Sequence, residues 1–200
     1  MNRQGILSRI KRGMIAGFVG TGPMTGLMEA YRRGVPVTSK DPFIPREVAE
    51  GIARRAGFEE QVDEWGEPAW WGLTAASHFG FGGAAGAVYG AIEPLINRYR
   101  KNGTGRTVKV TEARHISRHL AQGAGFGLLV WATHYLGIFP ALGLVKPQGD
   151  KPIRKNTGLV LSHLVWGMTT SLVYDSLRRR ALINSVARRP IKRRRIKQHV

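Results

Sequence analysis

Three histidines stand in apolar surroundings in this chain, His78, His134 and His163, and each directly follows a hydroxyl residue: Ser77, Thr133 and Ser162. Imidazole titrates near neutrality and carries a nitrogen lone pair, so it can accept a proton or ligate haem iron or a divalent metal. Haem would use two of the three, whereas a divalent metal could use all three together with Glu29. Two plainer uses compete. Each ring could hydrogen-bond a hydroxyl, Tyr135 or a carbonyl on a neighbouring helix, a contact worth about 0.6 kcal/mol between membrane helices. Alternatively, the three could line a proton or ion pathway. His115, His119 and His199 lie in or beside basic stretches and are assigned no site. No catalytic residue is assigned either, because the chain has no HExxH, GxSxG, P-loop or dinucleotide fingerprint. Asp175 is the only aspartate near an apolar segment, so the aspartate pair of an intramembrane hydrolase is missing. The lack of cysteine excludes disulfides, iron–sulfur clusters and thiolate metal sites.

The segments that must position these histidines are four stretches without a charged residue: Gly13 to Met28, Pro68 to Ile92, His119 to Val145 and Asn156 to Tyr174. A helix of roughly 20 apolar residues crosses the hydrocarbon core of a bilayer. A soluble bundle helix would show a polar stripe at helical spacing, and these stretches are apolar or small on every face. The sequence therefore predicts an all-α polytopic membrane protein with four transmembrane helices, over about 13–31, 69–92, 119–145 and 157–177. At a rise of about 1.5 Å per residue, His78 lies ~15 Å, His134 ~17 Å and His163 ~11 Å from the same face, with Glu29 approaching that half.

Charge sets the orientation. The 200 residues carry 31 Lys and Arg against 13 Asp and Glu, a net charge of +18. About two thirds of the basic residues fall in segments 1–12, 98–118 and 178–200, which places both termini in the cytoplasm. The intervening loop after the first span is acidic from Asp41 to Glu67 and belongs outside. Trp65, Trp70 and Trp71 are expected at the outer interface, and Tyr89, Tyr99 and Tyr174 near the inner one. No small-x-small cleavage site follows Met28, so the first span is read as uncleaved. Within the outer loop, PREVAEGIARRAG places Val48, Ile52 and Ala56 at four-residue spacing between Pro45 and Gly57. Proline in the first turn and glycine past the last predict an extra amphipathic helix over about 45–57, covering the bundle. At the other end, the basic tail carries Arg188, Arg189, Lys192, Arg193, Arg194, Arg195 and Lys197. Beside a cytoplasmic helix end these residues suit anionic lipid headgroups, at about 1 kcal/mol each. That reading is preferred to a protein partner or nucleic acid.

The spans are rich in glycine. Gly13 with Gly17, Gly22 with Gly26, Gly82 with Gly86 and Gly90, and Gly123 with Gly127 each recur at four residues. Such faces let membrane helices approach closely and predict a tight bundle, with a homo-oligomer or membrane-protein partner on any face left over. Ser77 to Tyr89 also aligns without gaps on Ser162 to Tyr174, with Ser, His, Gly82/Gly167, Val and Tyr identical. A duplication would relate two helical hairpins of the same orientation, as in the parallel repeats of transporters.

In its GMIAGFVGTGPMTGLMEAYRR first span, its PREVAEGIARRAG outer helix, its HFGFGGAAGAVYG second span and SHLVWG in the fourth, the chain resembles the YagU-like family. The likeness covers roughly residues 12 to 178. It implies a multi-pass bacterial inner-membrane protein of unassigned biochemistry and carries over no functional residue. The sequence thus points to a structural or interaction component of the inner membrane. A haem- or metal-binding protein and a small oligomeric transporter or channel are the alternatives.

Overall fold

The computed structural model describes residues 3–34, 44–103, 112–144 and 153–187. The basic tail, with the headgroup residues Arg188 to Lys197, lies outside them, as does the side chain of Tyr99. The fold is all-α, with helices α1 (Arg3–Gly34), α2 (Ile44–Ala56), α3 (Glu59–Trp65), α4 (Glu67–Gly103), α5 (Glu112–Ala132), α6 (Phe139–Ala141) and α7 (Ile153–Ala187). A π-helical turn, Thr133–Ile138, joins α5 to α6. Pro140 has no N–H, and its ring crowds the carbonyl four residues back at Leu136, so the helix widens just ahead of it. Gly57 and Gly66, both at φ 75, close α2 and α3 in a conformation that residues with a Cβ adopt only with strain.

The helices α1, α4, α5 and α7 form a four-helix bundle in which α1 packs along α4 and α7, and α5 along α7. Glycine decides how close they come. A methyl on Gly17 would strike the Gly82 carbonyl oxygen of α4, and one on Gly123 would strike the Gly167 carbonyl oxygen of α7. Gly82 and Gly167 are the aligned glycines of the sequence repeat, so both hairpins are packed in the same register.

The bundle buries several polar side chains within its apolar core and turns large apolar side chains outward. Thr21, Thr74, Glu93, Ser162, Thr170, Ser171 and Asp175 are buried beside Trp166, Tyr89 and Tyr174. Met14, Ile15, Phe18, Val19, Val88, Leu128, Leu129, Leu136, Leu161 and Leu172 face outward. Water-soluble bundle helices normally present a polar face to the outside. Among the described residues one segment, Glu112–Ala141, is long and apolar enough to cross a membrane by length and composition, against the four spans expected from the sequence.

Two expectations need correction. Tyr89 and Tyr174 lie in the core with their rings 5.5 Å apart and edge-on, not at an interface. Trp70 is likewise buried, while Trp65 and Trp71 are exposed. The cause is local. The Trp70 indole N–H donates to Asp63 (2.9 Å) and the Arg46 guanidinium sits 4.6 Å over its ring, so α2 and α3 enclose it.

Candidate functional site

The three sequence-singled histidines border one cavity of about 60 Å³. His78 comes from α4, His134 from the π turn and His163 from α7, with Thr21 and Met24 of α1 beside them. Phe81, Tyr135, Phe139 and Trp166 supply aromatic walls, and Pro45 and Val48 of α2 close the space from above. The covering helix is held down by Arg46, which pairs with Glu50 (2.7 Å) on its own helix and with Glu67 (3.2 Å) at the start of α4. Burial works against the Arg46 charge, but the hydrogen bonds to Glu67 and Glu50 outweigh it and raise its pKa above the ordinary guanidinium value. Arg46→Ala should free α2 from the bundle at a cost of about 1 kcal/mol, the upper range for a partly exposed ion pair. The check is faster amide hydrogen exchange across residues 44–65 with the core of α7 unchanged.

Hydrogen bonding fixes which ring nitrogen carries the proton. His134 Nδ1 donates to the Val130 carbonyl and His163 Nδ1 to the Leu159 carbonyl, each at 2.8 Å. A carbonyl only accepts, so in both neutral rings Nε2 keeps its lone pair. The Thr25 hydroxyl donates to the Thr21 carbonyl (2.7 Å), so His78 Nε2 donates to Thr25 (3.1 Å) and leaves its lone pair on Nδ1. Only His78 therefore finds its partner on a neighbouring helix. His134 and His163 bond to their own helices.

Glu29 does not join the histidines. It is held by Arg32 and Arg33, both 2.7 Å away and one turn further along α1, and it does not line the cavity. Ligand pockets for organic molecules typically run to roughly 300–1,000 Å³, so this cavity is far too small for a haem. Nor do the donor atoms of His78, His134 and His163 fall within 4.8 Å of one another; among the described residues that closeness belongs to His115, His119 and Asp175.

That second cluster, at the far end of the bundle from α2, was passed over in the sequence because both histidines are flanked by arginines. Its signal was present: His115 and His119 are four residues apart on one helix face. His115 Nε2 lies 2.8 Å from Asp175 Oδ2, and His119 Nε2 lies 3.5 Å from Oδ1. Arg178 and Arg179 each donate to the same carboxylate at 2.7 Å. His119 Nδ1 sits 3.2 Å from the Ser171 hydroxyl, which is in turn 2.8 Å from the Tyr89 hydroxyl.

No protein-family profile, curated protein or solved structure matches this chain.

Proposed function

We propose that the chain is a four-span bacterial inner-membrane protein of the YagU-like kind, with both termini cytoplasmic, that binds and carries a small cation rather than performing catalysis. The observation that carries this reading is the meeting of His78, His134 and His163 from three helices at one covered cavity. Three imidazoles, each using one ring nitrogen as a donor and leaving the other to accept, suit a proton or a partly hydrated divalent ion within aromatic walls. At roughly 10–15 Å³ per water-sized occupant, the cavity admits an ion with a few waters. The apolar exterior and the ionisable groups buried inside, Glu93 and Asp175 among them, support placement in a bilayer, where such groups face the bundle interior. Towards the far end, the buried Thr170 and Tyr174 hydroxyls lack hydrogen-bond partners, which leaves polar positions along the interior that suit water.

The structural or interaction role, to which the sequence points first, is the second reading, favoured by Gly22 and Gly26. A methyl on either would meet nothing within 4 Å, so this small-residue face of α1 is open to another helix.

One preparation tests both. The protein should stay with membranes through a high-salt wash and come out with detergent. Cobalt(II), a spectroscopic stand-in for a divalent ion, should then bind with at least one equivalent that is lost in the His134→Ala, His163→Ala double variant. Cobalt binding indifferent to both histidines, together with unchanged proton flux in proteoliposomes, would leave the structural role standing. A Soret band that disappears with these histidines would overturn the exclusion of haem.

A further inference from the structure

The geometry points to a second metal site, independent of the cavity, formed by His115, His119 and Asp175. We propose that it binds a divalent transition metal of the zinc class. The donor atoms of the three side chains all lie within 4.8 Å of one another, so small rotamer adjustments bring them onto one ion. Two imidazoles and one carboxylate are a borderline-hard donor set, suited to zinc or iron(II), with positions left open for water or a further ligand. Soft thiolate-seeking ions are not favoured, since no cysteine exists in the chain.

The surroundings have the form expected around metal ligands. Ligating histidines almost always pass their other ring N–H to an acceptor, and ligating carboxylates are themselves hydrogen-bonded. Here His119 Nδ1 faces the Ser171 hydroxyl at 3.2 Å, and that hydroxyl continues to Tyr89 at 2.8 Å. Asp175 is steadied by Arg178 on one oxygen and Arg179 on the other. In the metal-free protein His115 Nε2–H donates to the carboxylate at 2.8 Å, and His119 Nε2 lies 3.5 Å from its other oxygen. An ion between the three would be held by His115 Nε2, His119 Nε2 and an Asp175 oxygen. His119 Nδ1–H would then donate a hydrogen bond to the Ser171 hydroxyl oxygen. Burial also fits: Asp175 and His119 are 8% and 5% exposed, so the ion would be shielded, whereas His115 at 25% leaves a path from solvent.

Charge limits the affinity without forbidding binding. Arg178 and Arg179 repel a cation, but Asp175 and the buried Glu93, 3.7 Å from Arg178, offset their two charges. Both arginine side chains are more than a third exposed and can move into solvent. Moderate, micromolar binding follows in place of the very tight binding of closed structural zinc sites.

The test is a cobalt(II) titration of the full-length detergent-purified protein after chelator treatment, with zinc as competitor. The His134→Ala, His163→Ala background removes two of the cavity's three imidazoles, so failure of the proposed cavity function, on which this site does not depend, and failure of this site are read separately. In that background one equivalent of cobalt should still bind, with visible d–d bands, and zinc should displace it. His115→Ala, which removes one partly exposed ring, should weaken binding more than 100-fold, and Ser171→Ala roughly ten-fold, as loss of an outer partner does. Asp175→Asn should act like His115→Ala if it folds, and His115→Ala decides the matter if it does not. No cobalt binding in the micromolar range, or binding unchanged by His115→Ala, would overturn the site.

Discussion

Gly17→Val and Gly167→Val will each force apart the two helices of one hairpin and lower the thermal midpoint of the purified protein by about 10 °C. The expectation rests on what the glycines touch. A Cβ at Gly17 runs into the Gly82 carbonyl oxygen, and one at Gly167 runs into the Gly123 carbonyl oxygen. Backbone oxygens in a helix cannot swing aside as a lysine tip would, so the helices must separate along their length. Overpacking typically costs 1–3 kcal/mol. Here the upper end applies, about 3 kcal/mol, and each kcal/mol shifts the midpoint by roughly 2–4 °C in a chain of this size. Gly22→Val is the control, because a Cβ there meets nothing within 4 Å and Gly22 faces outward. Its midpoint should stay within about 2 °C of the parent. Equal losses at all three positions would mean that the cost does not come from close packing, since valine is the better helix former and propensity alone would not destabilise. The repeat adds a further demand: Gly17 and Gly167 should be nearly equal in cost, since both hairpins meet in the same register.

The same glycines mark how much of the fold was legible. Four-residue glycine spacing is a direct statement about helix approach, and the pairs Gly13/Gly17 and Gly123/Gly127 do lie where α1 meets α4 and α5 meets α7. The start and stop of α2 were legible too, because Pro45 and Gly57 act through their own backbone chemistry. The short helix Glu59–Trp65 was not. Its seven residues bury only Val62, so no apolar period announces it. The burial of Trp70 was hidden for a related reason, since it depends on Arg46 arriving from a different helix.

The histidines show a sharper limit. Counting the helical rise gives the height of each ring but not the direction in which it points. His134 lies inside a π turn, and one extra residue in a turn rotates everything beyond it by about 100° relative to a straight α-helix. A helical projection of 119–145 would therefore misplace it. Glu29 failed as a partner because arginines three and four residues on reach it first. The His115–His119–Asp175 cluster was concealed by composition. Its members sit among arginines, and a run of basic residues at a helix end is normally read as one solvated patch. Only the antiparallel packing of α5 on α7 brings Asp175 under both imidazoles.

Trp166→Ala should be the most destabilising single truncation in the bundle, at about 3–5 kcal/mol. Trp166 is 2% exposed, packs near Phe126 with ring centres 5.8 Å apart and forms part of the cavity wall. Its indole N–H donates to the Gly17 carbonyl at 3.0 Å, tying α7 to α1 at the level where α1 also meets α4. Two effects are therefore combined in one residue, and Trp166→Phe separates them. Phenylalanine keeps much of the ring volume and loses the donor. The Gly17 oxygen still accepts the Thr21 hydroxyl (2.9 Å), so no acceptor is orphaned and the loss should be only about 1 kcal/mol. If phenylalanine proves as damaging as alanine, the hydrogen bond and not the packing holds these helices together. The alanine variant has a second consequence for the site. Removing the indole joins its volume to the neighbouring cavity, so water gains access to His163 and to Thr21. Cobalt held by the histidines should then exchange faster while the far cluster at His115 keeps its affinity, because that cluster hangs on the α5–α7 contact and not on Trp166.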